Sequence, residues 1–74
     1  MKDQRMLVTK CLMNEIPAFV LCGNDINALK TLKEYERLAK KNGCSKTFLD
    51  DLGDLIKDFI AYQTEELFAV KIPD

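Results

Sequence analysis

Three cysteines are the most reactive side chains of this 74-residue chain, and no histidine accompanies them. Cys11, Cys22 and Cys44 stand 11 and 22 residues apart, whereas zinc-binding cysteines come in pairs separated by a few residues. Without histidine the chain lacks the commonest metal ligand and general base. We therefore predict no zinc site and no thiol catalysis, and we expect Cys11 and Cys22 to be small buried hydrophobic residues.

Acidic side chains form close pairs in the second half of the chain, at Asp50 and Asp51 and at Asp54 and Asp58. Paired carboxylates can hold Mg²⁺ or transfer protons. Here they fall on the polar side of a predicted helix, and acidic residues near a helix start also interact favourably with its dipole. The sequence predicts no enzyme, no catalytic residue, no metal and no cofactor.

Basic side chains form a stripe along one predicted helix, and we name them as tentative ligand-binding residues: Lys30, Lys33, Arg37 and Lys41. The segment from residue 25 to 41 holds five basic and three acidic residues, whereas residues 46–66 hold two basic and six acidic ones. These charges either form solvated faces or pair between subunits. The functional alternative is a stripe that binds an anionic nucleotide signal. No exposed aromatic platform accompanies the lysines, so nucleic acid binding is not expected.

Hydrophobic periodicity predicts which elements carry these residues. The apolar run at 6–13 predicts a strand, and so does segment 16–22, which is β-branched or aromatic at several positions. The alternation over 67–72 predicts a third strand. An apolar series at helical spacing follows Asn24 and Asp25 and ends at Asn42-Gly43. Ser45 then caps a second helix, and the short turn between the two helices predicts an antiparallel hairpin.

These elements predict a mainly helical α+β fold, with a single strand-helix-helix-strand domain at 14–74 and an extension or edge strand at 1–13. At 8.5 kDa the chain has a small core, and a core of that size rarely stabilises a fold by more than about 3 to 5 kcal/mol. We therefore expect a homo-oligomer that covers the remaining apolar surface. Its tentative interface residues are Phe19, Leu21, Leu29, Leu38, Phe68 and Ile72.

The stretch from Pro17 to Asp25 reads Pro-Ala-Phe-Val-Leu-Cys-Gly-Asn-Asp, and the chain ends in Lys-Ile-Pro-Asp. With the alanine at 28 and the Asn-Gly turn, this pattern resembles small phage and prophage accessory proteins. The resemblance covers most of residues 14–74. It implies a non-enzymatic protein that counters a host factor by binding it or by sequestering a host signalling molecule.

Two functions remain open at this point. The first is an oligomeric binding protein of the phage accessory type, directed at a host protein or an anionic small molecule. The second is a protein-protein adaptor or regulator that presents an apolar strand surface.

The net charge of -1 gives no general attraction to nucleic acid, and no apolar run reaches the roughly 20 residues of a membrane span. We expect a cytoplasmic protein without a membrane partner.

Overall fold

A computed structural model describes residues 3–74, and its regular structure is helical. Helix α1 spans Gln4–Met13, α2 spans Ala28–Lys41, α3 spans Lys46–Glu65, and a 3₁₀ turn follows at Leu67–Ala69. No sheet forms among these residues, since their one strand-like contact is an isolated bridge between Asp25 and Lys71. The predicted α+β fold is therefore wrong, and the fold over the described residues is helical.

Helix α1 replaces the strand predicted at 6–13. Asp3 begins the helix, because its carboxylate accepts hydrogen bonds from the backbone N–H of Arg5 at 2.8 Å and of Met6 at 3.3 Å. Most residues of the segment are good helix formers, and only Val8 and Thr9 are β-branched. Helix propensity and the Asp3 cap thus outweigh the short apolar run that resembles a strand. Residues 1 and 2 of the predicted extension lie outside the described residues.

Helix α2 confirms the first of the two predicted helices, with a later start. The Asp25 carboxylate accepts the N–H of Asn27 at 2.7 Å, which closes a turn and delays the helix to Ala28. At the other end Gly43 has φ +77°. The N–H of Gly43 reaches the Lys40 carbonyl and the N–H of Cys44 reaches the Ala39 carbonyl, which together form a Schellman ending.

Helix α3 begins as predicted. The Ser45 hydroxyl accepts the N–H of Phe48 at 3.1 Å, a standard N-cap bond. Helices α2 and α3 pack against each other as a helical hairpin whose buried centre is Ala39, Leu52 and Ile56. Half-buried apolar residues surround this centre: Leu29, Leu32, Phe48, Leu49 and Leu55.

Neither of the other two predicted strands forms. Residues 16–22 run without helix, turn or ladder, because the segment before them is helical and the backbone of the tail bonds to the loop at 24–26 instead. There the N–H of Ile26 donates to the Lys71 carbonyl and the N–H of Lys71 donates to the Asn24 carbonyl, both at 2.9 Å. A strand needs a neighbouring strand for its hydrogen bonds, and none of the described residues supplies one.

Candidate binding surfaces

The basic stripe lies where the sequence places it, on one face of α2. Lys30, Lys33, Arg37 and Lys41 are all exposed, while Ala28 and Ala39 of the same helix are buried. Positions three and four apart lie on the same side of a helix, so these four residues form a line of about 16 Å along α2.

One member of this stripe is engaged within the helix. The Arg37 guanidinium donates from Nε to both Glu34 carboxylate oxygens, at 3.0 and 3.1 Å, and also from Nη2. This side-chain hydrogen bond lowers the pKa of Glu34 and raises the pKa of Arg37. The three lysines of the stripe make no ion pair within residues 3–74. Among the described residues the stripe therefore has three unpaired cations and one that is paired with Glu34.

The six tentative interface residues divide into three groups. Phe19 is 81% exposed, Phe68 is fully exposed, and Ile72 is 76% exposed, while Leu38 is only 38% exposed. Leu21 is half-buried. Leu29 packs against the hairpin core instead of facing solvent. The structure thus leaves two phenylalanines and one isoleucine in water.

The loop before α2, the end of α3 and the tail are tied together at one end of the hairpin. The Gln63 amide donates to the carbonyl of Gly23 at 3.0 Å and to that of Asp25 at 3.3 Å. Gly23 also lies under the Tyr62 ring, where an added Cβ would come within 3.2 Å of a ring carbon. Beside these contacts lies a hollow of about 500 Å³, and its lining includes Phe19, Val20, Lys71 and Pro73.

A second hollow separates α1 from the hairpin, and we call it the α1 cleft. It measures about 320 Å³, and mostly apolar side chains line it. From α1 come Gln4, Leu7, Val8 and Cys11, from the following segment residues 18–21, and from the hairpin Leu32, Leu55 and Phe59. Sequence analysis missed this cleft because it predicted a strand at 6–13. The spacing of the α1 residues, i, i+3, i+4 and i+7, was the helical signal that could have revealed it.

An acidic hollow of about 450 Å³ adjoins the α1 cleft and shares Gln4 and Leu55 with it. Its charged lining consists of four carboxylates and one guanidinium: Asp3, Asp51, Asp54, Asp58 and Arg5. Asp50 lies elsewhere and pairs with Lys46 at 2.8 Å. Among residues 3–74 no group of three or more side chains is placed to hold a metal ion.

All three cysteines are free thiols, and their surroundings differ. Cys11 is half-buried and lines the α1 cleft. Cys22, which we expected to be buried, is exposed, because the segment that carries it is not covered by a sheet. Cys44 lies exposed in the interhelical turn. The thiol of Cys11 can therefore serve as a chemical probe of the cleft, and the thiols of Cys22 and Cys44 as probes of the outer surface.

Comparison of the chain with protein-family models, with curated proteins and with solved structures found no match. Over residues 3–74, none of the helices combines the length and apolar character needed to cross a lipid bilayer. The function of the protein is therefore inferred from the chain's own surfaces.

Proposed function

We propose that this protein is a non-enzymatic binding module that acts by docking its exposed apolar side chains against other protein chains, including further copies of itself. The observation that carries the proposal is the solvent exposure of Phe19 and Phe68. Aromatic side chains are enriched at the centres of protein interfaces. Each buries about 150 to 250 Å² when covered, so these two alone supply a substantial part of the roughly 800 Å² per partner in a standard interface.

The small core supports the same proposal. In the described part of the chain only Ala28, Ala39, Leu52 and Ile56 are buried apolar residues, and many larger ones face water. Single exposed apolar residues are ordinary on soluble proteins, but an exposed set this large relative to the core marks an interaction surface. Covering it by association both stabilises the fold and gives the module its function.

Sedimentation of the purified protein tests this proposal. We expect the native chain to self-associate, and we expect Phe19→Ser with Phe68→Ser to shift it to monomer without loss of helical circular dichroism. Met13→Ser is the matched control, because Met13 is a large apolar residue that is 79% exposed at the end of α1. A native chain that stays monomeric, and binds no protein through these residues, contradicts the proposal. Equal loss of association in the control would indicate non-specific contacts.

The partner that we propose, beyond further copies of the chain, is a host protein in the cytoplasm, as in the phage accessory class that the segment at 17–25 resembles. A binding module of this kind would act by occupying a surface of its target. Substitution of Phe19 and Phe68 should therefore weaken binding to the target.

The basic stripe supports a second function, capture of an anionic nucleotide. The specific observation is that Lys30, Lys33 and Lys41 lie on one exposed face without ion-pair partners among residues 3–74. Copies of the stripe that meet at a subunit interface would multiply a weak attraction. We expect Lys30→Gln with Lys33→Gln to lower nucleotide affinity in calorimetric titration while helicity is kept, and unchanged affinity would reject this function.

A further inference from the structure

The α1 cleft is an open groove with three sides. Leu7, Val8 and Cys11 form the α1 side, residues 18–21 form the second, and Leu32, Leu55 and Phe59 form the side of the hairpin. Its volume is about 320 Å³, and its walls are mostly apolar. Covering such walls with apolar side chains is favourable, because it removes apolar surface from water. An amphipathic helix supplies those side chains at i, i+3 and i+7, the spacing that suits a groove of this kind.

The charge at the edge of the cleft specifies the partner's polar residues. Asp54 and Asp58 lie one turn apart on α3, both exposed, and neither makes an ion pair within residues 3–74. Among residues 3–74, Arg5 is the one cation that lines the acidic hollow together with them. A lysine or arginine beside the apolar residues of a partner helix would meet these carboxylates, whereas a lipid phosphate or fatty-acid carboxylate would be repelled.

We propose that the α1 cleft binds the apolar face of a basic amphipathic helix from a partner protein, with lysine or arginine side chains against Asp54 and Asp58. This inference rests on the proposed function and names the chemistry of the partner. The chain's own basic helix is not the occupant, because the apolar face of α2 already forms the hairpin core.

A pair of synthetic peptides tests the charge requirement. The first is a helical peptide of about 14 residues with leucine at i, i+3 and i+7 and lysine on the flanking positions. The second carries glutamate in place of lysine. In fluorescence anisotropy at low salt we expect the lysine peptide to bind at least about tenfold more tightly, and we expect added salt to reduce the difference. Equal binding of the two peptides overturns the charge argument.

The native thiols locate the bound peptide. Cys11 lines the cleft, while Cys22 and Cys44 are exposed elsewhere. We expect saturating lysine peptide to slow alkylation of Cys11 by N-ethylmaleimide by about tenfold and to leave the rates of the other two thiols unchanged. Uniform rates in the presence of bound peptide place it outside the cleft and overturn the inference.

Charge-removing variants complete the test. Asp54→Asn with Asp58→Asn should weaken the lysine peptide about fivefold, in the range of two exposed ion pairs. Glu65→Gln with Glu66→Gln removes the same charge from the far end of α3 and should leave affinity unchanged. If the peptide binds the control and the aspartate variant equally, the inference fails. The proposed function still stands in that case if association through Phe68, which does not line the cleft, is observed, so the two failures are distinct.

Discussion

Two glycines in the hairpin have opposite roles. Gly43 adopts φ +77°, a left-handed conformation that L-residues adopt at a cost. Gly53 lies inside α3, and no atom beyond its own stretch of helix comes within 4 Å of an added Cβ. A glycine inside a helix marks either a close approach of another helix or a locally weak turn, and the open space around Gly53 favours the weak turn.

Alanine substitutions at these two glycines should therefore change stability in opposite directions. Gly43→Ala should lower the free energy of unfolding by about 1 kcal/mol, because the helix ending requires positive φ. Gly53→Ala should raise it by about 0.5 to 1 kcal/mol, since alanine is the better helix former and meets no obstacle. Urea denaturation of both variants measures the two changes, and destabilisation by Gly53→Ala would show a close contact at that position.

The bond between Arg37 and Glu34 gives a prediction about pH. It lowers the pKa of Glu34 below its ordinary value of 4.5. The bond therefore stabilises the fold above the unfolded-state pKa, and this contribution disappears as the pH falls through the lower folded-state pKa. An NMR titration of the Glu34 side chain should give a midpoint below 4.5, and Arg37→Gln should raise it. A midpoint that does not respond to this substitution would contradict the assignment, as would one that salt leaves unchanged.

At the scale of elements, a single amide connects α3 to the loop before α2. The Gln63 side chain is half-buried and donates to two carbonyls about forty residues earlier. The same loop holds the tail through the backbone bonds between Asn24, Ile26 and Lys71. Loss of this one amide is therefore expected to loosen the loop and the tail together.

Replacement of Gln63 tests that connection. Gln63→Leu keeps the volume of the side chain but leaves the Gly23 and Asp25 carbonyls without this donor, at a cost of about 1 to 3 kcal/mol. Hydrogen exchange at the N–H groups of Ile26 and Lys71 should accelerate, while exchange near Leu52 changes less. Thr64→Val is the control, because the Thr64 hydroxyl bonds only to the Ile60 carbonyl of its own helix. Equal acceleration in the control would contradict the proposed connection.

At the scale of the whole molecule, the buried core is small enough for one side chain to decide folding. Leu52 is 2% exposed at the centre of the hairpin. Leu→Ala at such sites costs about 2 to 5 kcal/mol, comparable with the total stability of a fold this size. Leu52→Ala should therefore abolish most helical circular dichroism at 25 °C, or lower the melting temperature sharply at fixed protein concentration. Leu67→Ala, at a position 68% exposed, should change stability by no more than about 0.5 kcal/mol.

The sequence by itself determined the hairpin. The caps at Ser45 and Gly43, the apolar series of α2 and α3 and the exposed basic stripe follow from local rules, because caps, turns and helical periodicity act over a few neighbouring residues. The exposure of Phe19, Phe68 and Ile72 agrees with their prediction as interface residues, although their role in association remains a prediction.

Only the tertiary structure decided that residues 16–22 and the tail, two of the three apolar segments predicted as strands, do not form strands. A short apolar run is compatible with a helix, a strand or an extended loop, and the choice depends on what lies beside it in space. At α1 a cap and helix-forming residues prevailed, whereas residues 16–22 and the tail lack a neighbouring strand. The α1 cleft and its acidic edge arise from that outcome, because they need α1 as a helix beside residues about fifty positions later in the sequence.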